Sequence, residues 1–398
     1  MANIVNRYLC PDKNMFLQIT FSLVFSLFLV SLANAYDYVP GGRRVISSSS
    51  ENTIRPIDRR NFIPAESLMK LDKGKWISEE INTEFAFDEL IYSWSVRLPE
   101  GQGFRLYLRA GFEEGNWTTW IYGGFWGKVS LVDHRENPVF EEGKLLMDQL
   151  LLNKKAIKYQ FKFEDEGEQP LRILPDLNVV YTDNTPEESL SYHYNYVEVR
   201  IPVQRKILDL PFRTQQDPLK RWTGKCQSAC LAIAMEYFGK PIPLEDIIPY
   251  THDPEYDFPG IWPRYIGAGI EFGFDAYIDR FRTWDRVRAT IEENKVILCT
   301  IEMPEGGDYI DPPYPHIGGH IVALNGLTDD GRVIVTDPVF SEKERGYRVQ
   351  WLLEDFEKVW KKWGNAGCVI CPPEGAKMRT VTDLPTFPGH KKDEPIWW

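Results

Sequence analysis

No long block of like charge and no fixed-period repeat runs through the 398 residues, which excludes a repeat architecture or a charged tail as the organising feature. Positive charge is not in excess. Lys and Arg number 46 against 58 Asp and Glu, a formal net charge of −12. That balance excludes a nucleic-acid backbone or an anionic membrane as the main partner. Beyond the N-terminus no stretch is apolar enough to cross a bilayer. Cys368 and Cys371 have no second pair at suitable spacing, so no zinc site is expected. Pro372-Pro373 after that pair argues against a thioredoxin-like redox helix. What is present is an ordinary globular composition, 43% hydrophobic and 26% charged. An aromatic share of 14% with 13 Trp points to β-rich structure, and the length suits two or three domains.

The N-terminus reads as a signal peptide, residues 1–35. Arg7 and Lys13 precede an apolar run over 15–32, and Ala33-Asn34-Ala35 puts small residues where signal peptidase would cut before Tyr36. An uncleaved anchor is the alternative, since the run is just long enough to span. The expectation is a secreted or periplasmic, cell-envelope protein. Of six cysteines, Cys10 leaves with the signal. Cys226, Cys230, Cys299, Cys368 and Cys371 remain, an odd number in a disulfide-permissive compartment. A bridge between Cys368 and Cys371 along one strand would have to span about 10 Å, beyond the roughly 7 Å limit.

Residues 36–60 read as a flexible leader, with Gly41-Gly42 and Ser47 to Ser50. From 61 to 183 the apolar period becomes two. Tyr92, Trp94, Val96 and Leu98 alternate with polar partners, as do Phe104, Leu106 and Leu108 after a Gly-Gln-Gly turn, then Tyr159, Phe161 and Phe163, then Leu177, Val179 and Tyr181. Strands at short intervals predict an antiparallel, jelly-roll-like β-sandwich. Trp117, Trp120, Tyr122, Phe125 and Trp126 crowd one stretch. They fit either a carbohydrate-stacking face or sandwich core with edge cover. A linker over 184–207 follows.

The chemistry gathers after 208. In WTGKCQSACLAIAMEYFG (222–239), Cys226, Ala229, Cys230, Ile233, Ala234 and Tyr237 recur at helical spacing. A second apolar stripe makes the helix a buried one. Thr223 is expected to cap it and Gly239 to stop it. Cys226 then lies in the first turn, where free N–H groups and the helix dipole favour a thiolate. Gln215 in LPFRTQ precedes it by one loop and could donate to an oxyanion; Gln216 is its rival. Farther on, GGHIVALNGLTDDGRVIVTDP (318–338) reads as a hairpin that brings His320 and Asp337 to one end. A base needs an imidazole in reach of the thiol and an acceptor on its other nitrogen. His316 is read as a solvated loop residue, and Cys230 as a buried neighbour of Cys226 or a partner of Cys299.

With these motifs in order, residues 208–370 resemble the C39-like peptidase group, papain-fold relatives of the bacteriocin-processing peptidases. The likeness rests on LPFRTQ at 210–215, CQSACLAIAMEYFG at 226–239, GGHIVALNG at 318–326 and VIVTDP at 333–338. It implies an α+β papain-like peptidase domain over 208–375; with the all-β sandwich before it and a tail over 376–398 after it, the chain is read as multi-domain. It also implies roles: Cys226 nucleophile, His320 general base, Asp337 orienting group and Gln215 oxyanion donor. The activity implied is hydrolysis of a peptide or amide through an acyl-enzyme, without metal or cofactor. Gln227, Ser228 and Cys230 depart from the residues usual in the group. The expected substrate is a peptide or peptidoglycan-like, with possible glycan contact through the β domain; no transporter segment follows, so leader cleavage is not expected to transfer. The alternatives are a non-hydrolytic module binding glycan or cell-wall peptide, and an acyltransferase using the same residues.

Overall fold

The computed structural model describes residues 58–113, 115–128, 135–184, 206–216, 224–328, 330–376 and 378. The predicted signal, almost all of the leader, most of the linker and most of the tail lie outside them.

The N-terminal region carries ten strands: β1 (Asp58–Ile63), β2 (Met69–Asp72), β3 (Lys75–Ile77), β4 (Ile81–Ser95), β5 (Gly103–Gly111), β6 (Ile121–Gly127), β7 (Val139–Phe140), β8 (Gly143–Leu146), β9 (Gln149–Asp165) and β10 (Asp176–Thr182). All pair antiparallel in one hydrogen-bonded network. The period-two residues became its core: Tyr92, Phe104, Leu106, Leu108, Phe161, Phe163, Leu177 and Val179 are fully buried, each worth about 1.5–3 kcal/mol of transfer free energy. Their rings meet edge to face, Trp94 on Phe104 at 5.8 Å and Phe104 on Phe163 at 5.4 Å. The long strands β4 and β9 tie the network together. Register shifts between them are where bulges turn a strand.

The C-terminal region alternates helices with a second sheet. The helices are α1 (Cys226–Tyr237), α2 (Leu244–Thr251), α3 (Trp262–Glu271), α4 (Trp284–Glu292), α5 (Lys343–Gly346) and α6 (Leu353–Lys361). A two-stranded ribbon joins β11 (His252–Asp253) to β12 (Phe258–Pro259). The main sheet holds β13 (Ala276–Arg280), β14 (Val296–Met303), β15 (Ile317–Leu327), β16 (Arg332–Thr336), β17 (Val349–Leu352) and β18 (Ala366–Ile370), in the antiparallel order β13-β18-β14-β15-β16-β17. Among the described residues no helix is long and apolar enough to cross a membrane.

The two regions share a face. α3 and β13 pack on β4, and Ile91 and Val180 of the N-terminal sheet belong to the C-terminal core. Arg282 pairs with Asp58 at 2.6 Å, and Arg280, 1% exposed, pairs with Glu89. Deeper in the seam, Asp148 accepts from the Trp262 N–H at 2.6 Å and Arg264 binds Asp253 at 3.0 Å. There Tyr122 donates to Glu255 at 2.6 Å, and Arg135 lies 3.7 Å from Glu255. Burial pushes the Asp148 carboxyl up to about 7 against the Trp262 bond.

The aromatic stretch divides between core and cover. Phe125 and Trp126 are buried. Arg109 and Lys158 both lie over the Trp117 ring, at 4.2 and 4.4 Å, and Arg109 also lies over Trp120 at 4.6 Å. Those ring faces are covered by the protein's own cations, so the expectation of a glycan contact finds no support.

Candidate active site

Helix α1 begins at Cys226 itself. The capping residue is Lys225 (φ −101°, ψ 37°), and no side chain closes the end; Thr223, the expected cap, lies outside the described residues. The first-turn N–H groups next to Cys226 therefore receive no oxygen from the capping side chain. At the far end Gly239 takes φ +84°, and the N–H groups of Gly239 and Lys240 return to Glu236 and Met235 at 2.9 Å each. That is the glycine stop the sequence predicts. Every α1 residue except Glu236 is buried.

One turn on from Cys226, the Cys230 thiol donates to the Ile321 carbonyl at 3.1 Å. Residues four apart share a helix face, so this bond lays the Cys226 face of α1 over β15 beside His320. The strand includes His320 in its interior. Ala323 pairs with Thr336 and Leu324 with Val335; then Gly326 steps the register. Continuing that pairing sets Asp337 across from Val322, so His320 and Asp337 are diagonal neighbours on one face rather than directly opposed. Gly326 has φ +154°, and a Cβ there would meet Lys206 O at 2.8 Å. Its absence lets the segment before Leu210 run close to β15, where Leu208 N–H donates to Asn325 O at 2.9 Å.

The His320 ring, 3% exposed, places Nε2 at 2.8 Å from Asp337 Oδ1. Nε2 being taken by Asp337, Nδ1 is the ring's other nitrogen, and Cys226 acts on the same imidazole. Burial alone would lower the imidazole, but the Asp337 carboxylate and the contact with Cys226 outweigh it and push it up to about 10. An imidazole held as the cation at neutral pH favours a thiolate–imidazolium pair over a neutral base. Asp337 is wholly buried and tightly held. Its N–H donates to Gly346 O at 2.8 Å, Val339 N–H donates to Oδ1 at 2.9 Å, and Tyr314 O–H donates to Oδ2 at 3.2 Å.

Gln215 is 7% exposed, and its N–H donates to Pro338 O at 2.8 Å, one residue past Asp337. Its side-chain Oε1 has no hydrogen-bond partner among the described residues. The rival Gln216 has committed its amide to Val339 O at 3.0 Å. Gly318 and Gly319 are exposed. A Cβ on Gly318 would touch nothing within 4 Å, and one on Gly319 would meet only Trp363, at 3.6 Å. The strand beside His320 is thus open to an approaching chain. His316 is exposed, as expected of a loop.

All five described cysteines are free thiols. Cys230 and Cys299 are buried neighbours and form no bridge, and Cys368 lies within β18 with Cys371 just past its end. Burial drives Cys230, Cys299 and Cys368 well above the ordinary thiol range and Cys371 to about 11. None of these four resembles an activated nucleophile.

Three contributors escaped the sequence reading. Tyr314 lies in a Pro-rich loop without periodicity, 23 residues before the carboxylate it binds. At Gly346 a Cβ would meet Phe212 at 2.2 Å and Asp337 O at 2.6 Å. Gln227 was noted only as a departure, yet its Oε1 accepts from the Cys226 thiol at 3.7 Å.

Residues 207–368 match the model of the Peptidase_C39 like family. The segment is a C39-like domain. Residues 43–143 match the peptidase C39 N-terminal domain, although the sheet itself continues through β10 at Thr182. Among solved structures the chain is similar to the peptidase domain of Streptococcus ComA, a bifunctional ABC transporter of a quorum-sensing pathway. Identity is 14%, the match covers 42% of this chain and 98% of that one, and the TM-score is 0.28. No curated protein matches the chain.

Proposed function

We propose that this chain is an exported cysteine peptidase or amidase. Cys226 attacks the carbonyl carbon of a peptide or peptidoglycan-like substrate, and His320 gives the proton it received from the thiol to the leaving amine. Water then hydrolyses the thioester acyl-enzyme with His320 as base. Asp337 orients the imidazole and favours its cationic form. Gln215 donates to the oxyanion, a contact worth about 3 kcal/mol in comparable sites. The reading takes 208–375 as a papain-like α+β domain, 61–183 as a sandwich-like accessory domain, 184–207 as a linker, and 1–35 as a signal peptide for a secreted or envelope protein.

The observation that carries it is the 2.8 Å His320–Asp337 bond, with Cys226, at a helix start, acting on the same buried imidazole. The C39-like match over the same residues supports it. The test is incubation of the mature chain with peptide and cell-wall fragment libraries, followed by intact-mass analysis. The expected result is cleaved product and an acyl adduct on Cys226, with Cys226→Ala lowering turnover by at least about 10³-fold. Turnover that survives Cys226→Ala would overturn the reading.

A further inference from the structure

Gln227 follows the nucleophile and is 1% exposed. Its amide is fixed from one side only. Oε1 accepts from the Cys226 thiol at 3.7 Å, while Nε2 is buried without a hydrogen-bond partner. Buried amide donors are rarely left so. The rest of the first turn shows no such shortfall: Ser228 shares a 2.6 Å hydrogen bond with Thr251 at the end of α2. The two ends of an amide are distinguished only by their hydrogen bonds, and here one end alone has a partner, the thiol. That partner changes character when it ionises. A thiol donates; a thiolate only accepts.

We propose that Gln227 is a further active-site residue whose amide turns over with the state of the nucleophile. With the thiol protonated, Oε1 accepts from it. When the proton moves from Sγ to His320 Nδ1, rotation about the last side-chain torsion brings the Nε2 donors to the sulfur. No other bond is broken by the turn, because Nε2 leaves no partner behind. The amide therefore stabilises the thiolate as a second donor beside the imidazolium, and its loss weakens the ion pair without removing either member. The inference rests on the proposed Cys226–His320 pair and adds a second donor to it.

The test is the rate of Cys226 alkylation by iodoacetamide from pH 4 to 10, in the full chain and in Gln227→Met and Gln227→Glu. Met removes both hydrogen-bonding ends, and Glu keeps only acceptors. Both variants are expected to move the midpoint up by about one pH unit or more, since a charge-assisted hydrogen bond is lost. The plateau above the midpoint should be unchanged, a split that a purely structural defect would not produce. A low midpoint in the unmodified chain with the same midpoint in both variants overturns the role of Gln227 and leaves the ion pair standing. An ordinary thiol titration in the unmodified chain removes the ion pair itself, and this inference with it. Should neither variant fold, the side-chain amide of Gln227 in ¹⁵N-glutamine-labelled protein decides: its resonance shifts with the thiol midpoint, and a flat response overturns the proposal.

Discussion

Two clusters of buried ionisable groups lie in this molecule, and they differ in one respect that matters. At the seam between the regions, Asp148, Arg135, Asp253, Glu255 and Arg264 are packed from both sides and bonded to one another or to backbone. At the end of α1, Cys226, His320 and Asp337 are equally buried, yet they lie beside the open glycines of β15. Both clusters carry perturbed groups: Asp148 is pushed up to about 7 by burial, and His320 to about 10, where burial is overcome by Asp337. A shifted pKa alone therefore does not mark the site. A nucleophile, an oriented partner and an approach path together do.

The comparison breaks most sharply on Asp337→Asn. That change keeps the shape but removes the charge that holds the imidazole cationic, and turnover of the folded protein should fall by about 10²–10⁴-fold. The reverse pattern is expected at the seam. Arg264→Ala takes the arginine away from the buried Asp253 carboxylate and leaves it the N–H groups of Glu255 and Tyr256, which should cost about 3–5 kcal/mol in denaturant unfolding, while the thiol reactivity of the folded fraction stays unchanged. Loss of reactivity there would mean that the seam positions the site directly.

The pH dependence of stability separates the clusters next. Both groups are raised above their unfolded values, so each contributes stability that is complete below its unfolded pKa and is lost as pH rises through its folded one. For Asp148 the window runs from about 4 to about 7, and for His320 from about 6.5 to about 10. Asp148→Asn should remove about one proton from the unfolding linkage in the lower window and leave the upper one alone. Smallest of all is Lys158→Ala on the exterior of the N-terminal sheet. It loses a contact over Trp117 at 4.4 Å and a 2.9 Å ion pair with Glu80, worth about 1 kcal/mol together, with activity unchanged.

Much of the site was readable because it is local. GGHIVALNG and VIVTDP form one hairpin, which brings His320 and Asp337 to one end of it, and the register step at Gly326 puts the two on the same face. Cys226 was readable from helical spacing. What escaped is what tertiary structure supplies. Tyr314 reaches Asp337 from a loop with no pattern, and Gly346 is required by Phe212, which is distant in sequence. The N-terminal strands announced themselves by period two, but their union into one sheet did not, because it depends on how β9 shares its length among β3, β4, β5 and β8. The seam was invisible for the same reason: Arg135 and Glu255 are far apart along the chain, and nothing in either neighbourhood signals the other.

The central claim is that Cys226 alone is held as an ion pair with His320, and competitive alkylation tests it most directly. The mature chain would be treated with limiting iodoacetamide across pH 4–10, and the adducts located by mass spectrometry, in parallel with His320→Ala. The prediction is labelling at Cys226 ahead of the other four thiols, fast well below pH 8, and returning to ordinary thiol behaviour when His320 is removed. Slow labelling of Cys226 with an ordinary titration, or a profile indifferent to His320, would contradict it.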